Sequence, residues 1–90
     1  MPTPYYLYIL YSTRIDRYYI GSSSDPTKRC WFHSNTNQGW TVRGQPWELV
    51  LTKAFSTKVE AQWWERWIKR QKSRRIIEQM LQDDFVWERL

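Results

Sequence analysis

Arg29 and His33 stand four residues apart just after Asp25-Pro26, and side chains at that spacing leave a helix on one face, about 6 Å apart at Cβ. Together they could reach one anion; taken alone, they also read as an exposed pair on a surface helix. Glu65 precedes Lys69 by four residues and lies at the edge of the apolar stripe Ala61, Trp64 and Ile68. A carboxylate there could project into a cleft beside packed rings, or simply pair with Lys69 for about 0.3–0.5 kcal/mol. Arg66, Lys69, Arg70, Lys72, Arg74 and Arg75 place six cations in ten residues, with no acid between Glu65 and Glu78. A solvated helix face normally mixes its signs, so this run points to a polyanion, with nucleic acid first.

The whole chain agrees in sign: 14 Lys and Arg against 9 Asp and Glu give a formal charge of +5. Ninety residues allow one domain and exclude a two-domain enzyme. A single Cys30 and a single His33 can build neither an internal disulfide nor a four-ligand structural zinc site. The longest apolar run, Tyr5 to Tyr11, is seven residues, whereas a membrane span needs about 20. That run lacks the basic flank and small-residue cleavage site of a secretory signal, so a cytoplasmic protein is expected. The core must come from aromatic rings: seven Trp, six Tyr and three Phe are present, and each buries about 150–250 Å² when enclosed.

The elements that would position these groups follow from pattern. Tyr5 to Tyr11 reads as a strand buried on both faces, Ser12 to Asp16 as a turn, and Arg17 to Gly21 as the second strand of an antiparallel hairpin. Gly21-Ser22-Ser23-Ser24 is expected to end that strand. Asp25-Pro26 supplies an N-cap and a first helical residue for a helix to Ser34. Asn35 to Gln45 reads as a loop, of the length that often carries function. Trp47 to Phe55 reads as a third strand. Thr57 and Glu60 have the capping-box spacing for a helix reaching Gln71, and a last helix starts near Ser73. The first long helix is apolar on two faces: Ala61, Trp64 and Ile68 suit the sheet, while Val59, Trp63 and Trp67 need another cover. Ile76, Ile77, Met80 and Leu81, joined by Phe85 and Trp87, can supply it, and a partner chain or second copy is the alternative. The order β-β-α-β-α-α predicts an α+β domain, a three-stranded antiparallel sheet flanked by helices.

Tyr6-Leu7-Tyr8, Tyr18-Tyr19-Ile20-Gly21, Arg29 with His33, Thr41 to Val50 including Pro46-Trp47, and Glu65 with Lys69 together resemble the GIY-YIG nuclease superfamily. The resemblance spans Tyr5 to Ile77, leaving 78–90 as helix end and tail. It is similar to the small single-domain members that look like the excinuclease catalytic module, in which Tyr or Trp replaces the first Gly. Pro26 and Cys30 stand where relatives usually carry Leu, and no Asn follows Glu65.

The resemblance implies a DNA endonuclease that hydrolyses a phosphodiester with one divalent ion, Mg2+ or Mn2+, on the fold just described. It implies that Tyr8 takes the proton of the attacking water, that Tyr19 hydrogen-bonds near the water and the scissile phosphate, and that Arg29 steadies the phosphate. It further implies that Glu65 holds the metal, that His33 bonds a tyrosine hydroxyl, and that Gly21 lets the backbone pass close to the site. Lys69, Arg70, Lys72, Arg74 and Arg75 are then expected to contact DNA phosphates. A free phenol has a pKa near 10, so Tyr8 needs a cation's help to act as a base at neutral pH. With this sequence spent on the catalytic domain, selectivity is expected to follow DNA shape or a partner protein, with repair as the nearest family role. Two other readings stay open: a non-catalytic nucleic-acid-binding module on the same fold, and an interaction domain docking through Val59, Trp63 and Trp67.

Overall fold

Because Tyr5–Ser12 is apolar on both faces, this strand (β1) takes the middle of a three-stranded antiparallel sheet, with β2 (Arg17–Ser23) on one edge and β3 (Glu48–Phe55) on the other. The structure, a computed structural model, describes residues 3–88. The ends of the expected domain, residues 1–2 and 89–90, lie outside the described residues. Element order is the expected β-β-α-β-α-α, with a 3-10 helix, Trp40–Gly44, between the first helix and β3.

Side-chain alternation along β1 divides the core into two layers. Tyr8 and Leu10 face α1 (Pro26–Asn35) and are buried with Trp47. Leu7 and Ile9 face α2 (Lys58–Gln71), where they meet Trp64 and Ile68 together with Met80 of α3 (Arg74–Met80). Each helix starts on the cap its sequence offers: Asp25 accepts from the Lys28 amide at 3.0 Å, Thr57 from Glu60 at 3.2 Å and Ser73 from Ile76 at 3.3 Å. These contacts satisfy amides that a helix start leaves without partners.

Two expectations need correction. The serine run does not end β2, because Gly21, Ser22 and Ser23 pair with Tyr8, Leu7 and Tyr6 of β1. The hydrogen-bonding ladder of a central strand outweighs the weak β preference of glycine and serine. The segment Asn35–Gln45 is not wholly irregular, since Trp40–Gly44 winds into the 3-10 helix.

The second apolar stripe of α2 finds part of its cover within the chain. Phe85 and Trp87 fold back onto the core, with the Trp87 ring 5.1 Å and the Phe85 ring 6.3 Å from that of Trp64. Trp63 and Trp67 are half-buried against the same cluster, while Val59 stays 67 % exposed. Trp63 and Trp67 still line a cavity of 290 Å³ with Trp64, Phe85 and Val86, so this face is partly closed. Among the described residues no helix is long and apolar enough to cross a membrane.

Candidate active site

Tyr8 lies opposite Gly21 in the β1–β2 register, and its ring crosses the strand where glycine leaves room. A Cβ at Gly21 would stand 2.9 Å from Cε1 of Tyr8 and nearer still to Cζ and Oη. Tyr19, two positions back on β2, shares that face; its ring is 6.3 Å from Tyr8 and inclined by 25°. Helix α1 brings the exposed Arg29 to the same face, its guanidinium 5.2 Å from the Phe32 ring and with Tyr8 and Tyr19 among its electrostatic neighbours. Tyr8 is only 1 % exposed. Burial pushes its phenol above the ordinary 10.0; Arg29 pulls the other way, while the charges of Tyr19 and Glu65 raise it further. Tyr8 is therefore a neutral phenol at neutral pH, and Arg29 alone does not make it a base.

His33 follows Arg29 by one helical turn, but the two heads separate. Arg29 reaches solvent, whereas His33 is 6 % exposed, so the pair does not present two cations side by side to one anion. The imidazole packs 4.4 Å from the Tyr19 ring, and its Nδ1 lies 3.4 Å from Thr41 Oγ1. Its Nε2 is buried without a hydrogen-bond partner among the described residues. Burial, and then the charge of Arg29, hold its pKa below the ordinary 6.5, which keeps it neutral near pH 7. The expected bond from His33 to a tyrosine hydroxyl is therefore absent among the described residues, and the imidazole instead forms a wall behind the Tyr19 ring.

The rest of that wall comes from the segment before β3. Trp47 Nε1 donates to the Thr41 carbonyl at 2.8 Å, and Gln45 Nε2 donates to the carbonyls of His33 at 2.9 Å and Thr36 at 2.6 Å. Ser34 Oγ accepts from the Trp47 amide at 2.9 Å. Trp40 and Trp47 place their rings 5.9 and 6.3 Å from Tyr19. Trp40 is the one aromatic between Asn35 and Gln45, and nothing in its sequence surroundings marked it as a neighbour of Tyr19.

Glu65 arrives from the opposite side of the sheet. Ala61, Trp64 and Ile68 seat α2 on the sheet, and Glu65 at the edge of that stripe extends to the rim of β2. Its Oε1 accepts from Ser22 Oγ at 2.5 Å, and its Oε2 from Lys69 Nζ at 2.7 Å. Ser22 adjoins Gly21, so the carboxylate and the phenols approach a single edge strand from its two faces, at the residue with no side chain to separate them. Nothing in the sequence marks Ser22 for this contact, since its partner is 43 residues away.

Among the described residues there is no group of three or more His, Cys, Asp or Glu that could hold a metal. A lone carboxylate is a poor site for zinc. It does fit a hard cation such as Mg2+, which keeps several waters and takes further oxygens from a substrate phosphate. Glu65 is the residue that would hold it, and Ser22 fixes one of its oxygens.

The cations expected to meet DNA divide into groups. A groove of 590 Å³ runs along β2 toward the α2–α3 junction, floored by Ile20 and Ile68 and rimmed by Arg17, Lys69, Lys72 and Arg74. Arg74 is tied down there, donating to Asp16 Oδ1 at 2.6 Å and to its carbonyl at 3.0 Å while lying over the Tyr18 ring. Lys69 is shared with Glu65. Arg70 and Arg75 are exposed outside the groove. Arg17, which its isolated position in the sequence did not mark, joins the rim.

A family model described as the GIY-YIG catalytic domain matches residues 4–78. Searches of curated proteins and of solved structures return no significant match. The family match takes in both tyrosines, the arginine and the carboxylate that the fold gathers about Gly21, and on that extent the chain belongs to the GIY-YIG catalytic domain family, a family of endonucleases.

Proposed function

We propose that this protein is a metal-dependent endonuclease that hydrolyses DNA phosphodiester bonds with one Mg2+ or Mn2+ ion, cutting one strand per active site. The observation that carries this reading is the convergence on Gly21: Tyr8, Tyr19 and Arg29 from one face of the sheet, Glu65 through Ser22 from the other. Selection by DNA structure, a cytoplasmic setting and a place in repair or recombination belong to the same proposal, supported by the resemblance to the excinuclease catalytic module.

Arg29 binds two oxygens of the scissile phosphate, a task that its planar fork performs and a lysine ammonium does not. As charge builds on those oxygens, a guanidinium already in place stabilises it without reorganising. Tyr19, walled in by His33, directs its hydroxyl to the same phosphate and the attacking water. Tyr8 takes the proton of the attacking water as phenolate, having first given its own proton to solvent, and solvent water protonates the leaving oxygen; burial opposes the phenolate and Arg29 favours it. Glu65 would hold the divalent cation, which would supply Lewis-acid stabilisation of the leaving oxygen.

Labelled duplex, flap, branched and single-stranded DNA incubated with Mg2+ or with chelator tests the reading in one gel. Metal-dependent nicking that disappears in folded Arg29→Ala and Glu65→Ala is expected; undiminished cleavage by both refutes it. A second reading has its own support, because the Lys69 ammonium already occupies one Glu65 oxygen at 2.7 Å, where a cation would otherwise sit. A non-catalytic nucleic-acid-binding module would bind with strong salt dependence and release no product at any metal concentration.

A further inference from the structure

We propose that Trp40 is a stacking platform for an unpaired nucleobase next to the scissile phosphate, so that the preferred ligand is a nucleic-acid strand with at least one unstacked base. The ligand class rests on the nuclease reading. Trp47 and Trp64 are buried to 5 % and 4 % exposure, whereas Trp40 is 53 % exposed. It is nevertheless held in place. Its ring meets Trp47 edge-on at 5.7 Å and Tyr19 at 5.9 Å. The next residue, Thr41, is fixed through its carbonyl to the Trp47 indole and through its hydroxyl to His33.

Tyr19 links the two sites: its ring is 5.9 Å from that of Trp40, and it is among the electrostatic neighbours of Arg29. A phosphate on Arg29 therefore brings its own nucleoside or the adjoining one to the Trp40 ring. The net charge of +5 and the exposed guanidinium favour a polyanion over an apolar peptide as occupant. A paired duplex keeps its bases stacked inside and offers the indole only sugar and phosphate. An unpaired base offers a π face, and sequence-tolerant stacking on aromatic rings is how single strands are commonly held.

Equilibrium binding of a fluorescently labelled single-stranded oligonucleotide and of its duplex, followed by anisotropy in chelator, tests this without turnover. Trp40→Ala is expected to weaken single-strand binding by about 5- to 150-fold and duplex binding by less than about twofold. Trp40→Phe, which keeps a ring, retains most of the single-strand affinity, while Trp40→Leu, apolar without a π face, loses it as Ala does. If Trp40→Ala fails to fold, the contrast between Phe and Leu decides. Equal losses on both ligands, a Leu variant as tight as wild type, or no single-strand binding by the wild type overturns the proposal. Binding through Trp40 with no metal-dependent cleavage would count against the nuclease reading alone.

Discussion

Replacing Gly21 by Ala tests whether the Tyr8 ring truly lies across β2. The backbone there is not in the left-handed region, so an alanine with free space would be favourable by about 0.4–1 kcal/mol through the unfolded chain. The space is not free. The new Cβ would sit 2.9 Å from Tyr8 Cε1, inside the 3.4 Å at which ordinary contact begins, and deeper into Cζ and Oη. The ring must retreat by more than about 0.5 Å in a site where it is 1 % exposed, and overpacking of this kind costs about 1–3 kcal/mol. Overpacking outweighs the entropic gain, so Gly21→Ala is expected to be destabilised. At about 4–8 °C per kcal/mol for a domain of this size, the melting midpoint should fall by several degrees or more. Cleavage should fall further, on the order of 10²-fold, because the phenol is displaced from the reacting atoms. Circular-dichroism melting and single-turnover cleavage measure the two effects. In a Tyr8→Leu background the ring is gone, and the same substitution should cost nothing in stability. A Gly21→Ala protein that melts and cleaves as wild type, or one that loses the same stability in both backgrounds, would refute the seating of Tyr8 over Gly21.

Arg29→Lys keeps the charge but not the planar fork that can bind two phosphate oxygens, so single-turnover cleavage should drop about 10²- to 10³-fold while stability changes by less than about 0.5 kcal/mol; near-normal rates would remove Arg29 from the chemistry. Ser22→Ala frees Glu65 Oε1, and Mn2+ affinity read by titration should weaken by about 10- to 100-fold with the fold intact, whereas unchanged affinity would show that Ser22 does not orient the carboxylate. His33 is buried neutral with its pKa depressed below 6.5, so its contribution to stability is full above about pH 6.5 and lost as pH falls through the depressed value. Between pH 7 and 5 the wild-type melting midpoint should drop more than that of His33→Gln, and parallel pH profiles would contradict a buried neutral imidazole. Lys72→Glu on the groove rim should lower the salt-dependence slope of DNA binding by about one and weaken all sequences alike, while an unaltered slope would place the DNA elsewhere.

The parts of this fold that the sequence displays are those fixed within a few residues. Asp25-Pro26, Thr57 with Glu60, and Ser73 each satisfy local amides, so the helices start where their capping residues stand. Spacing also puts Arg29 and His33 on one helix face, but spacing carries no depth: the neighbours that bury His33 and leave Arg29 open are Tyr19 on β2 and Thr41 in the 3-10 helix. The contact between Ser22 and Glu65 is illegible in the sequence for the same reason, since only the β1–β2 register and the seating of α2 bring them within 2.5 Å.

The register also explains why the serine run stays in the sheet. β2 is an edge strand, paired only with β1, so its outer side has no neighbouring strand and a substrate backbone can approach it. An edge strand ending at Gly21 would leave Ser22 unplaced and Glu65 without its hydrogen bond. Continued through Ser23, the strand holds Ser22 on the face opposite Tyr8 and so fixes a carboxylate and a phenol on either side of one backbone. Glycine at position 21 lets the Tyr8 ring lie across that backbone, because any larger residue there would drive the ring away.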